Sequence, residues 1–293
     1  MKISVDELAK GFRKEKYVAD KEILTTVYLA LKLNKPLLLE GDAGVGKTEI
    51  SKVLANIFDT ELIRLQCYEG LDENKALYEW NYQKQLLKIQ LKQDNVSEDV
   101  LEDDLFSEEY LLERPLLKAI RSNKAPVLLI DEIDKTDEEF EAFLLEVLSD
   151  FTVSVPELGT IQAGEIPIVV LTSNNERELS DGLKRRCIYL YLNYPTVEKE
   201  KEIISSKVPG IEEKLTEQVA KALKIIRDDN EIRKKPSIAE TLDWTRALVA
   251  LDASKLDPEL VKSTINLLLK TKEDIDHFNE NIGADALCAN VRE

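Results

Sequence analysis

A single histidine, His277, and three scattered cysteines, Cys67, Cys187 and Cys288, with no C-x-x-C spacing, exclude the usual zinc sites and disulfide frameworks. The expectation is three unpaired thiols in a reducing, cytoplasmic setting. No apolar run approaches the roughly eighteen residues that a membrane-spanning helix needs. The opening MKISVDELAKGF lacks the apolar stretch of a secretory signal, so none is expected. Positive charge is also in deficit, with 40 Lys and Arg against 57 Asp and Glu and a net charge of −17. Such a balance opposes general attraction to nucleic acid or anionic lipid, although a local basic groove inside an acidic particle is compatible with it.

What is present is ordinary for a folded protein: 293 residues, 43% hydrophobic and 33% charged, enough for one large or two ordinary domains. The first half alternates apolar runs with helical patterns. Candidate strands are Leu37–Glu40, Glu61–Cys67, Val127–Ile130, Ile166–Leu171 and Ile188–Leu192, with a helix expected from Thr48 to Asn56. Continuous aliphatic runs of this kind suit parallel strands buried on both faces, so the pattern predicts an α/β fold with a parallel sheet between helices. Residues 72–114 read as polar and mostly helical. Residues 150–166 read as a β-hairpin turning near Glu157-Leu158-Gly159. After Pro195 only helical periodicity remains, which places a boundary near residue 194 between an α/β domain (1–194) and an all-helical domain (195–293). The acidic stretch 94–109 fits a solvated helix–loop better than a docking surface.

The strongest chemical signal is Gly41-Asp42-Ala43-Gly44-Val45-Gly46-Lys47-Thr48, a full G-x-x-x-x-G-K-[ST] set between an apolar strand and a helix. Its glycines let successive backbone N–H groups turn inward onto phosphate oxygens, and the helix N-terminus adds its positive dipole. Lys47 then reaches the terminal phosphates and the Thr48 hydroxyl ligates magnesium, so residues Gly41 to Glu49 are expected to hold ATP with Mg2+. Further on, VLLIDEI ends an apolar strand in two carboxylates. Asp131 at that strand end suits a metal, and Glu132 suits a general base that polarises water. A plain helix start also has this pattern, but downstream of a complete P-loop the metal-and-base reading takes precedence. IVVLTSNN offers Asn174, either a water-orienting amide near the γ-phosphate or a simple turn. Leu183-Lys184-Arg185-Arg186-Cys187 offers an arginine to a neighbouring subunit's γ-phosphate, or a solvated basic turn.

With these motifs in order the sequence resembles an AAA+ ATPase, more narrowly one of MoxR type, from about Tyr17 to about residue 250. The segments YVADKEILTTVYLALKLNKPLLLEGDAGVGKTEISKVLA, LTSNNERELSDGLKRRC and KPSIAETLDWTRAL carry the likeness. The last two are similar to the branch linked to cofactor maturation of carbon monoxide dehydrogenase-type enzymes. The resemblance implies a P-loop AAA+ core followed by a helical lid, hexameric rings with ATP between subunits, and hydrolysis of ATP. It makes Lys47 and Thr48 Walker A, Asp131 and Glu132 Walker B, Asn174 sensor 1 and Arg186, rather than Arg185, the arginine finger. It also matches 150–166 to a pre-sensor-1 hairpin and Tyr68 to Leu87 to a helix-2 insert, and puts adenine near Tyr17 and Val18. A protein client, and a partner bearing a von Willebrand A domain, are implied in the same way. One departure is plain: Ser237-Ile238-Ala239-Glu240 has no sensor 2 arginine, and Arg246 lies two turns further along. Trp244 and Leu248 on that helix suit core positions. A nucleic-acid motor on the same core is the alternative function. A GTPase is excluded by the want of Asn-Lys-x-Asp, since Asn34-Lys35, Asn74-Lys75 and Asn123-Lys124 all lack the aspartate.

Overall fold

The computed structural model describes residues 3–91, 105–156 and 158–292. Most of the acidic 94–109 stretch, and Glu157 of the expected hairpin turn, lie outside the described residues. The chain divides into two compact units, one of Met1–Gly11, Lys21–Gly41 and Lys47–Tyr191, the other of Phe12–Asp20, Asp42–Gly46 and Leu192–Glu293.

In the first unit the aliphatic runs form one sheet. Its strands are β1 (Leu37–Glu40), β2 (Leu62–Gln66), β5 (Val127–Asp131), β8 (Ile168–Ser173) and β9 (Ile188–Tyr191). They stand in the order β2-β5-β8-β1-β9, every neighbouring pair parallel. All residues of β1 and β5 are buried, as are five of the six in β8. Helices such as Lys21–Leu33, Lys47–Ile57, Pro115–Arg121 and Glu138–Asp150 supply the apolar cover that such strands require. β2 at the sheet's edge behaves differently: Ile63 and Leu65 point into the core while Arg64 and Gln66 face outward. The 150–166 hairpin is present as β6 (Thr152–Val155) against β7 (Gly159–Gln162), antiparallel.

The helical expectation for 72–114 needs correction. Helices Glu73–Ala76 and Tyr82–Leu91 are there, but β3 (Tyr78–Trp80) pairs antiparallel with β4 (Leu111–Glu113). Three-residue strands have too short a pattern to show a period of two, and their pairing partner lies far along the chain. Aromatic packing holds the join, with Trp80 edge-on to Phe106 at 5.3 Å.

The second unit packs helices Val197–Lys207, Glu213–Asp228, Ile238–Ala250, Pro258–Thr264, Lys272–His277 and Ala284–Asn290 around a separate core. Trp244 and Leu248 are fully buried at its centre, and the Trp244 indole N–H donates to Thr264 Oγ1 at 2.8 Å. Ser237 caps the helix Ile238–Ala250 through a reciprocal capping box with Glu240. Beneath that cap the guanidinium of Arg227 is sealed in. It donates to both Glu200 carboxylate oxygens at 2.6 and 3.2 Å, to Pro236 O at 2.8 Å and to Thr241 Oγ1 at 3.1 Å. Among the described residues no helix is long and apolar enough to cross a membrane.

Candidate functional site

Strand order decides which loops meet. β8 lies between β1 and β5, so the three loops that leave the carboxyl edge of these strands begin at Gly41, Glu132 and Asn174. This edge of an open parallel sheet is where ligands of α/β proteins bind.

The P-loop has positive φ at Gly41, Gly44 and Gly46, with values of 148°, 77° and 95°. L side chains adopt such angles rarely. Its ends, Gly41 and Lys47, belong to the α/β unit, and Asp42–Gly46 group with the helical one. In the α/β unit the Lys47 ammonium is buried and donates to Gly41 O at 2.6 Å. In the helical unit Gly44 O accepts from Ile238 N at 3.1 Å, and a Cβ on Gly44 would come within 2.2 Å of Ser237 Cβ. Val45 is buried, whereas Asp42 and Ala43 are exposed. The Tyr17 hydroxyl donates to Gly46 O at 3.5 Å, and its ring meets Phe12 edge-on at 5.4 Å; Val18 beside it is half-buried.

Asp131 is 2% exposed and surrounded by donors. Oδ1 accepts from the hydroxyls of Thr48 at 3.1 Å and Thr172 at 2.5 Å. Oδ2 accepts from Arg64 Nε at 3.1 Å and Nη2 at 2.5 Å. Glu132 follows with φ 59°, in the left-handed region that costs a non-glycine residue roughly 1–2 kcal/mol. Strain of this sort turns the chain sharply off the strand end. The backbone N–H of Glu132 donates to Thr172 Oγ1 at 2.9 Å, and its Oε2 accepts from Gln66 Nε2 at 3.0 Å and Lys135 Nζ at 2.6 Å. That contact with Glu132 holds the Lys135 ammonium above its ordinary pKa. Asp134, 4% exposed, ties down the next loop by accepting from the backbone N–H groups of Asn174 and Glu176 at 3.0 and 2.9 Å. Cys67 reports the negative field here. Burial first, then the charges of Asp131, Asp134 and Glu132, push its thiol up to about 12.

Thr48, Asp131 and Glu132 therefore come together, and the backbone of Asn174 is tied to Asp134, two residues past Glu132. Arg186 does not join them: it is exposed and donates to Leu145 O at 2.7 Å. Arg185 is also exposed, with Asp181 at 3.9 Å. In the helical unit Arg246 pairs with Asp243 at 3.1 Å and is half-exposed. Sequence reasoning missed Arg64, Gln66, Thr172, Asp134 and Lys135. A signal existed for the first two in the alternation Ile63, Arg64, Leu65, Gln66, which marks an edge strand with a polar face.

Do these residues suit a magnesium nucleotide? No cluster of three or more His, Cys, Asp or Glu able to hold a metal occurs among the described residues. A cation here would have one hydroxyl and one carboxylate from protein, the sparse set that suits Mg2+ completed by phosphates and water. The glycine turn with positive φ suits phosphate. The residues fit.

A family model described as AAA domain (dynein-related subfamily) matches residues 36–187, more than half of the chain. The chain belongs to this AAA family. Its five-stranded parallel sheet with flanking helices and a helical C-terminal region is the AAA+ P-loop architecture, an ATPase core whose family uses ATP and usually Mg2+. An uncharacterized protein of Staphylococcus aureus (strain bovine RF122 / ET3-1) is 24% identical over 240 residues, covering 80% of this chain and 82% of its own. A protein of Staphylococcus haemolyticus (strain JCSC1435), also uncharacterized, is 24% identical over 246 residues, covering 81% and 85%. Among solved structures, the RuvB Holliday junction branch migration motor of Thermotoga maritima aligns with a TM-score of 0.50 at 17% identity, over 90% of this chain and 76% of that one. That last likeness is one of fold.

Proposed function

We propose that this AAA family member is a MoxR-type ATPase that hydrolyses magnesium ATP and spends the energy on remodelling, or on cofactor maturation of, a partner protein. The observation that carries the reading is the Thr48–Asp131 contact at 3.1 Å with Glu132 next in the chain. In this reading the backbone of Gly41 to Thr48, with Glu49 behind it, embraces the phosphates, and Lys47 exchanges Gly41 O for a terminal phosphate oxygen. Thr48 and Asp131 would hold magnesium, which would supply positive charge to stabilise the phosphates. Glu132 accepts the proton of the attacking water, and Asn174 orients that water. Tyr17 and Val18 pack the adenine. ATP and water give ADP and phosphate.

Arg186 serves a neighbouring copy rather than its own site, which its exposure at the end of the helix Asp181–Arg186 supports. The corresponding assembly is a homo-hexamer, the client is a protein, and a von Willebrand A-domain protein is the partner class to test first. The flanks of Asn174 and the stretch KPSIAETLDWTRAL favour the carbon monoxide dehydrogenase-maturation branch.

The test is Glu132→Gln. It should retain ATP binding and lose about 10²–10⁴ in turnover, the usual contribution of a general base. Unchanged turnover removes the base assignment. Arg186→Ala should bind ATP, fail to hydrolyse it, and poison wild-type subunits in mixed rings; independent action of the wild-type subunits removes the role in trans. The likeness to a branch migration motor favours one second reading, a nucleic-acid motor. Against it stands the net charge of −17, and stimulation of hydrolysis by DNA at physiological salt would decide for it.

A further inference from the structure

Arg64 sits where no P-loop motif accounts for it. On β2 it lies opposite Leu129 of β5, with Gln66 opposite Asp131, so Arg64 reaches Asp131 along the sheet diagonal. A carboxylate offers about four acceptor positions, and on Asp131 two go to hydroxyls and two to Arg64. The same guanidinium also donates from Nη2 to Gln66 Oε1. That contact orients the amide. Arginine only donates and carboxylate only accepts, so Gln66 must turn its oxygen to Arg64 and its nitrogen to Glu132, as the 3.0 Å contact to Oε2 requires. Lys135 closes the row on the far side of Glu132. Asp131, Arg64, Gln66, Glu132 and Lys135 thus form one line of hydrogen bonds from the metal-binding carboxylate to the base.

We propose that Arg64 competes with the metal: without metal it neutralises Asp131 and turns Gln66 toward Glu132, and a cation at Asp131 displaces it. The inference rests on the roles proposed above for Asp131 and Glu132. Two physical facts drive it. A guanidinium and a divalent cation cannot share one carboxylate without mutual repulsion. And the Arg64 side chain is 53% exposed, so on leaving Asp131 it regains water at little cost.

The test reads metal affinity rather than turnover. Magnesium is titrated into the wild-type protein bound to a fluorescent ADP, then into Arg64→Met and the milder Arg64→Gln. With the competitor gone, the magnesium dissociation constant should fall about fivefold, the scale of one screened ion pair. In an Asp131→Asn background the same substitution should change it by less than about twofold, an outcome that a merely structural role for Arg64 does not produce. Wild-type binding with Arg64→Met and Arg64→Gln unchanged within about twofold overturns the inference and leaves the ATPase reading standing. A wild-type protein that binds no magnesium nucleotide overturns both. If Arg64→Met fails to fold, Arg64→Gln alone decides.

Discussion

Arg227 and Glu200 in the helical unit form a forked ion pair shut away from water, their side chains 6% and 1% exposed. Arg64 meets the equally buried Asp131 in the α/β unit, yet its own side chain is 53% exposed. The chemistry is the same and the settings differ. Carboxylate, carbonyl and hydroxyl surround the edge of the Arg227 guanidinium, and the Tyr194 ring covers one face, 4.8 Å from its centre. Such a pair has nowhere to go, and it ties the helix Glu213–Asp228 to the helix Val197–Lys207, with Pro236 and Thr241 joined to the same guanidinium. The Arg64 pair has water on one side and can be exchanged for another cation. Closed pairs serve structure; half-open ones are free to serve chemistry.

The largest effect separating the two should come from Arg227→Met. It strands Glu200 as an unpaired buried charge, and breaking such a pair costs about 3–5 kcal/mol. Chemical denaturation of the helical unit's transition reads this directly, and a loss below about 1 kcal/mol would show that the pair is not sealed.

A second effect, smaller within any one pH unit, belongs to the α/β unit on the alkaline side. Cys67 in the α/β unit is held at about 12 against an ordinary 9.0, by burial and then by the neighbouring carboxylates. Above pH 9 the unfolded chain therefore releases this proton while the folded chain keeps it, so stability present below pH 9 drains away as pH rises toward 12. Cys67→Ala should flatten the pH dependence by about 1.4 kcal/mol per pH unit in that window. An unaltered slope would show that neither burial nor the neighbouring carboxylates hold the Cys67 thiol up. Smallest of all should be the effect of Arg64→Met on folding in the absence of metal, about 1–3 kcal/mol, because the buried Asp131 keeps the Thr48 and Thr172 hydroxyls. A loss as large as that of Arg227→Met would abolish the contrast between the two pairs.

How much of the fold and site is legible in the sequence? The P-loop was legible because its glycines, lysine and threonine sit at fixed spacing in one short segment. The central strands were legible because burial on both faces leaves an unbroken aliphatic run, as in Leu37–Leu39 and Val127–Ile130. Trp244 as core followed from helical spacing. The β3–β4 pair was not legible, because Tyr78–Trp80 and Leu111–Glu113 make sense only beside each other. Nor was the coupling of Arg64 to Asp131, for the two stand 67 residues apart, with β3, β4 and the helices Glu73–Ala76, Tyr82–Leu91 and Pro115–Arg121 between them.

The sequence by itself determined the fold class and the phosphate-binding turn, since both depend on residues close together along the chain. Tertiary structure alone decided which polar groups share a hydrogen-bond line. Strand order β2-β5-β8 brings Arg64, Asp131 and Thr172 side by side. Hydrogen bonds act over about 3 Å, and no spacing along a chain encodes which distant strands will lie that close.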